Sequence, residues 1–253
     1  MDVTRAFVIG MGEVGRRLAS ALAAAGVRAA PVTRTSGWDE ALAEGEAPLL
    51  VCVREEVLAD VVARVRGAAP ERLIFVQNGW IRPLLAELPG CTRGLVWFTS
   101  KGEFFRVLRP SAFCGPLAGS LAGVLGRGGV AAVALDDGAF AHADAEKMGF
   151  NCVVGLPLAV HGLTLAEYLE RHRREAQGVF GEAVSVTARA LGAHASPEWW
   201  TAFLKAVEPL GWVKAGTAKA LEFRNGAVVR LARELGLCAP VNERLLAAVG
   251  YVL

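Results

Sequence analysis

Lys147 and Asn151 stand four residues apart in a stretch of helical pattern, Ala139–Val154, whose other positions are mostly apolar or small. At that spacing the two side chains share one helix face, and Ala143 and Gly155 extend the same stripe. Met148, Cys152 and Val153 fall off it and suit packing. An ammonium beside an amide suits carbonyl reduction. When hydride reaches a carbonyl carbon, negative charge grows on the oxygen; the ammonium donates a hydrogen bond and then a proton, while Asn151 orients the same oxygen or a substrate hydroxyl. The plainer reading is a Lys147 that snorkels to solvent and an Asn151 that caps a helix kink, and spacing by itself favours that. Composition adds a reason to look again. Arg carries most of the positive charge, and the lysines are only Lys101, Lys147, Lys205, Lys214 and Lys219. A partly buried Lys can move a proton where Arg stays charged.

A reduction needs a hydride donor, and the start of the chain reads as its holder. Ala6–Ile9 is a short apolar run that suits a strand buried on both faces. Gly10-Met11-Gly12-Glu13-Val14-Gly15 follows at once as G-x-G-x-x-G, and Arg16–Ala25 continues as a helix ended by Gly26. Gly10 makes the tight turn, Gly12 admits a pyrophosphate to the backbone, and Gly15 lets helix and strand pack closely. The free N–H groups at the helix start then face the phosphates. After a second strand, Val27–Thr33, an NAD site wants Asp or Glu; this chain has Thr33, Arg34, Thr35 and Ser36. A guanidinium with hydroxyls suits a 2′-phosphate, which favours NADP over NAD.

The elements that must position these residues fall into two parts. Pro48–Val53 and Leu73–Val76 read as buried strands with a helix over Glu56–Arg66 between them. Leu95–Ser100, Ser111–Cys114 and Val130–Leu135 read as further strands and Leu117–Leu125 as a helix. The link Thr35–Ala47 is too short for another helix and strand, so the second strand lies near a sheet edge, where Pro31 is tolerated. Gln77-Asn78-Gly79 ends a strand where a ligand crevice lies in such sheets, although Asn-Gly also makes a plain turn. From Ala139 the pattern is helical: Ala139–Val154, Thr164–Leu191, Pro197–Val207 and Thr217–Leu235. The fold class expected is α/β, a Rossmann-like nucleotide-binding domain over 1–137 followed by an all-helical domain over 138–253.

Composition narrows the function classes. The chain has 253 residues, a net charge of +2 and a mean hydropathy of +0.38. No apolar run reaches the ~18 residues of a membrane span, and the N-terminal MDVTR lacks a signal peptide's apolar core. Five cysteines without C-x-x-C spacing argue against a disulfide framework or a zinc site. We therefore expect a cytoplasmic protein with a small-molecule substrate, no nucleic-acid or membrane partner, and no metal. His142, His161, His172 and His194 have no metal-ligand spacing; His172 reads as a solvated helix position and His161 as a weak candidate for the cleft. Trp199, Trp200, Phe203 and Trp212 line a pocket, make a dimer contact or, more plainly, pack a core.

The chain resembles the ketopantoate reductase (2-dehydropantoate 2-reductase) family. The likeness runs nearly end to end and is strongest at four places. The glycine loop and Arg34 match the family's NADP site. Gln77-Asn78-Gly79 matches its Asn-Gly, whose Asn contacts cofactor and substrate. Lys147-x-x-x-Asn151 matches its general-acid Lys and the Asn one turn on. Asn225-Gly226 through Arg233, Gly236, Pro240 and Asn242 follows its C-terminal signature without gaps. The resemblance implies an NADPH-dependent reductase with Lys147 as acid, Asn78, Asn151 and Glu222 on the substrate, and a homodimer as a compatible assembly. Departures concentrate on the substrate side. Ala220 stands where the family has a substrate-binding Glu, and Glu222 where it has Asp. Gly155 replaces a second Asn, the family's serines fall near Glu208-Pro209, and Arg54 replaces a cofactor-binding Lys. These changes leave open a different carbonyl or imine substrate, or a non-catalytic protein that senses the nucleotide.

Overall fold

The structure, a computed structural model, describes residues 4–102 and 104–252. The chain divides into two compact units, Met1–Gln77 with Ile81–Phe140, and Asn78–Trp80 with Ala141–Leu253.

The first unit is a mainly parallel sheet with helices. In chain order its elements are β1 (Arg5–Ile9), α1 (Glu13–Ala24), β2 (Arg28–Val32), α2 (Trp38–Ala43), β3 (Leu49–Val51), α3 (Leu58–Val65), β4 (Leu73–Phe75), β5 (Thr92–Leu95), β6 (Phe98–Lys101), β7 (Phe104–Val107), β8 (Ser111–Cys114), α4 (Ala118–Arg127) and β9 (Ala132–Ala134). The main sheet runs β2-β1-β3-β4-β5-β8-β9, with only the β5–β8 pair antiparallel. Strands such as Leu49–Val51 are buried along their whole length, as expected of a parallel sheet covered on both faces. Leu18, Leu22, Leu121 and Leu125 close one face against Ala6, Val8, Leu50 and Ile74, each buried leucine contributing roughly 1.5–3 kcal/mol. β2 is an edge strand, and Pro31 sits in it opposite Val8. The stretch expected as one strand, Leu95–Ser100, is broken. β5 ends at Leu95, and β6 pairs with β7 as a separate hairpin. Trp97 makes the break: its N–H donates to Ser111 Oγ at 3.0 Å and its carbonyl accepts from Leu108 at 2.8 Å, which turns the chain out of the sheet.

The second unit is helical. α5 (Asp137–Val153) spans the division and opens where Asp136 Oδ1 accepts the Ala139 N–H at 2.7 Å. It is followed by α6 (Leu156–His161), α7 (Leu165–Arg171), α8 (Arg173–Ala190), α9 (Glu198–Val207), α10 (Asn225–Glu234) and α11 (Pro240–Ala248). The long helix expected over Thr164–Leu191 is two, parted at His172, whose φ of −124° leaves the helical region. A capping box of Thr164 and Glu167 starts the first of them. The helix expected from Thr217 begins only at Asn225, because Ala220 adopts a left-handed φ of 51° and Leu221–Phe223 form a 3₁₀ turn.

Asn225 and Asn242 hold this unit together from inside. Asn225 Nδ2 donates to Asn242 Oδ1 at 2.8 Å and to the Cys152 carbonyl at 3.3 Å. Asn242 Nδ2 donates in turn to Glu182 Oε2 at 2.7 Å, and Glu182 also accepts the Val241 and Asn242 N–H groups. The network ties α10, α11 and α8 to the C-terminal end of α5. Replacing Asn225 with Ala removes two bonds and orphans a buried acceptor, so we expect Asn225→Ala to cost about 2–4 kcal/mol, read as a lowered denaturant midpoint. A midpoint unchanged from the parent would show that the network contributes nothing.

Candidate active site

The glycine loop joins β1 to α1. Gly10 has φ of +94°, a conformation that side chains rarely adopt, and a Cβ there would meet Val53 N at 3.0 Å. A Cβ on Gly15 would lie 1.9 Å from the Gly10 carbonyl oxygen, so only glycine lets α1 start this close to β1. Gly12 differs from both: a Cβ there meets nothing within 4 Å, which leaves open space beside the first N–H groups of α1. An anion is favoured in that space by the exposed donors and the helix dipole. Met11 and Val14 pack against the core. Glu13 is the loop's one anion, and it is held from the side: Ser100 Oγ donates to it at 3.1 Å and Arg16 pairs with it at 3.2 Å. The Ser100 bond keeps its carboxyl below the ordinary value. Arg17 bonds Ser100 and the Gly102 carbonyl, fixing the β6–β7 hairpin to the same end of α1.

Beyond β2, Thr33 and Ser36 join their hydroxyls at 2.7 Å, and Trp38 Nε1 donates to the Thr33 carbonyl at 2.7 Å. Arg64 lies over the Trp38 ring at 4.0 Å. This tight turn presents Arg34, which is exposed and bonds no other described residue. Arg54 is exposed just after β3, next to the Val53 that packs on Gly10. Gln77 is buried and donates to the Val51 and Val53 carbonyls, tying the ends of β3 and β4.

Asn78, Gly79 and Trp80 belong to the second unit. Trp80 N–H donates to the Phe223 carbonyl at 2.6 Å, and Gly79, at φ +83°, comes so near that a Cβ would lie 2.3 Å from that oxygen. This contact seats Asn78, half-buried, against the Ala220–Phe223 turn.

On α5, Lys147 and Asn151 are 5% and 6% exposed. Lys147 does not snorkel to solvent: its Nζ lies 4.6 Å over the Phe150 ring. Asn151 Nδ2 is buried with no hydrogen-bond partner among the described residues. An orphaned buried amide costs about 1–3 kcal/mol, a cost that a ligand oxygen would remove. Asp144, one turn before Lys147, is equally buried; its i−3 spacing to Lys147, absent from the sequence-based candidates, is the signal that puts it on the same face. The structure thus gathers Lys147, Asn151 and Asp144 on one helix. Glu222 is exposed, with its backbone carbonyl accepting from Arg230. Ala220 is buried and offers no carboxylate.

The aromatic residues separate. Phe203 is buried and contacts Phe150, Phe180 and Trp200, whereas Trp212 is 51% exposed. Trp200, Phe180, Val184 and Ser196 line a hollow of about 410 Å³.

No protein-family model matches the chain, and no curated protein does. Solved structures do match. A ketopantoate reductase from Ralstonia eutropha superposes with a TM-score of 0.77 at 19% identity, covering 97% of both chains. The chain has the ketopantoate reductase fold. A dimeric ketopantoate reductase from Staphylococcus aureus gives a TM-score of 0.76 at 15% identity over 98% of both chains. A D-mandelate dehydrogenase bound to NADH and anilino(oxo)acetate gives 0.80 at 13% identity over 97% of both. At these identities the likeness establishes architecture, an α/β Rossmann-like part followed by a helical part, across nearly the whole length. Among the described residues no helix is long and apolar enough to cross a membrane.

Proposed function

We propose that this chain is an NADPH-dependent reductase of a 2-oxo acid, with Lys147 as the general acid. The observation that carries the reading is the buried pair on α5: an ammonium kept from solvent beside an amide with an unmet N–H. The glycine loop fits a dinucleotide, since Gly12 leaves open the space a pyrophosphate needs. A bound nicotinamide would supply hydride to the carbonyl carbon. Lys147 Nζ would hydrogen-bond the carbonyl oxygen, stabilise its growing charge in a water-poor setting and deliver the proton that completes the hydroxyl. Asn151 would hold the substrate, as would Asn78, and Asn78 would also contact the cofactor. Gly10, Met11, Gly12, Glu13, Val14, Gly15, Thr33, Arg34 and Arg54 would bind the dinucleotide.

The substrate follows from what has changed. Ala220 removes a carboxylate that would read the hydroxyl of ketopantoate, and a site loses discrimination with the group that supplied it. Glu222 is the remaining carboxylate of that turn. We therefore place the substrate among 2-oxo acids without that hydroxyl, a class that includes the oxo-acid partner of mandelate. Turnover of NADPH with ketopantoate and with larger apolar 2-oxo acids decides it: faster turnover of the apolar acids supports this reading, and preference for ketopantoate overturns the substrate assignment.

Arg34 tests the cofactor. A charge-assisted contact to a 2′-phosphate contributes about 1.5–3 kcal/mol. Arg34→Ala is expected to weaken NADPH binding by roughly 10–100-fold and to leave NADH binding nearly unchanged, both read by nucleotide fluorescence. Equal loss for the two nucleotides would remove Arg34 from this role.

A further inference from the structure

His161, His172 and Glu175 form a second polar cluster in the helical unit, on elements other than α5. His161 closes α6, His172 stands between α7 and α8, and Glu175 lies in the first turn of α8. All three are half-buried. The imidazoles stack with centroids 4.1 Å apart and planes at 26°. His161 Nε2 is 2.7 Å from Glu175 Oε1, and one donor atom from each residue lies within 4.8 Å of the others. We propose that His161, His172 and Glu175 form a binding site for a divalent transition-metal ion, zinc being the one whose chemistry the donors suit.

Two imidazole nitrogens and one carboxylate oxygen are a donor set that holds zinc with a fourth position left for water. Tetrahedral bonds of ~2.0–2.1 Å put ligand atoms about 3.4 Å apart, so side-chain rotation closes the set. Stacked rings direct their lone pairs side by side, and one imidazole must turn. His172 can do so, because among the described residues ring contacts alone hold its side chain: it stacks on His161 and on Tyr168. Glu175 is already oriented. Arg244 holds its Oε2 at 2.9 Å, while Oε1 faces His161 and accepts from the buried Tyr168 at 3.2 Å, so Oε1 is the oxygen an ion would take. Such supporting bonds fix a ligand's direction and tune its affinity. Arg244 opposes a divalent ion, but its side chain is 63% exposed and its charge is screened. Burial pushes the Glu175 carboxyl up, and bonds from His161, Arg244 and Tyr168 outweigh it and hold it below the ordinary value.

Cobalt(II) occupies zinc's tetrahedral sites and reports them by visible absorption. Titrated into the metal-free full chain, it is expected to give one equivalent of a tetrahedral band that zinc then abolishes. Zinc is expected to raise the thermal midpoint of the same protein. His172→Ala and Glu175→Gln are each expected to weaken cobalt binding at least ~10-fold, and His194→Ala to leave it unchanged. Should His172→Ala fail to fold, Glu175→Gln, which keeps the side-chain shape, decides. Absence of the tetrahedral band, or a band that persists at full affinity in Glu175→Gln, overturns the site.

Discussion

Lys147→Ala is expected to lower kcat for 2-oxo acid reduction by about 10²–10⁴-fold, the usual contribution of a positioned general acid, while NADPH binds as before. The reason is local. Lys147 sits on the buried face of α5 with its Nζ over Phe150, and Ala offers no donor in its place. The carbonyl oxygen would lose both its charge stabilisation and its proton source, and each acts only as charge develops. Folding should survive, since a helical Ala is favourable and the Asn225–Asn242 network that anchors the end of α5 is untouched. Steady-state kinetics beside NADPH titration separates the effects: a fall in kcat with unchanged cofactor affinity supports the acid role. Full activity in the variant would return Lys147 to a packing role.

The second large effect comes from setting two glycines of one loop against each other. Gly15→Ala puts a methyl 1.9 Å from the Gly10 carbonyl oxygen and 3.3 Å from Cys52 Cβ, so α1 must shift off β1. Overpacking of this kind costs about 1–3 kcal/mol, and the misplaced N–H groups should also lose the dinucleotide. Gly12→Ala puts its methyl into open space, and Gly12 has an ordinary φ of −72°. Its thermal midpoint should stay near the parent's or rise, yet NADPH affinity should fall at least ~10-fold, or about 1.4 kcal/mol, because that space is where the pyrophosphate would approach. If the loop is a phosphate cradle, nucleotide titration shows both variants losing NADPH, while thermal unfolding shows only Gly15→Ala losing stability. A Gly12→Ala protein that binds NADPH normally would mean that the loop is only a tight turn.

Much of the fold was legible because parallel strands buried on both faces are continuous apolar runs, as in Leu49–Val51 and Leu73–Phe75, and because Pro31 marked an edge. The β6–β7 hairpin was hidden: the apolar run from Leu95 continues through Trp97, and only the bond from its N–H to Ser111 shows where the chain leaves the sheet. The left-handed Ala220 was equally hidden, since nothing in an alanine announces a positive φ. On α5 the four-residue spacing gave the Lys147–Asn151 face, but spacing could not decide between solvent and interior; burial did. The Asn225–Asn242 signature was read for its family likeness, and its physical work is structural, fastening the end of the helix that carries Asn151. His172 and Glu175 stand three residues apart at the start of α8, but His161 closes α6, so only the fold of α6, α7 and α8 brings it to them.

The most direct measurement is NADPH consumption by the purified chain with a panel of 2-oxo acids, run beside Lys147→Ala under identical conditions. The expected result is saturable oxidation with at least one acid of the panel, yielding the 2-hydroxy acid, and a fall of at least ~100-fold in the variant. Tight NADPH binding with no oxidation by any acid in the panel would contradict the reductase assignment and leave a nucleotide-binding protein in its place.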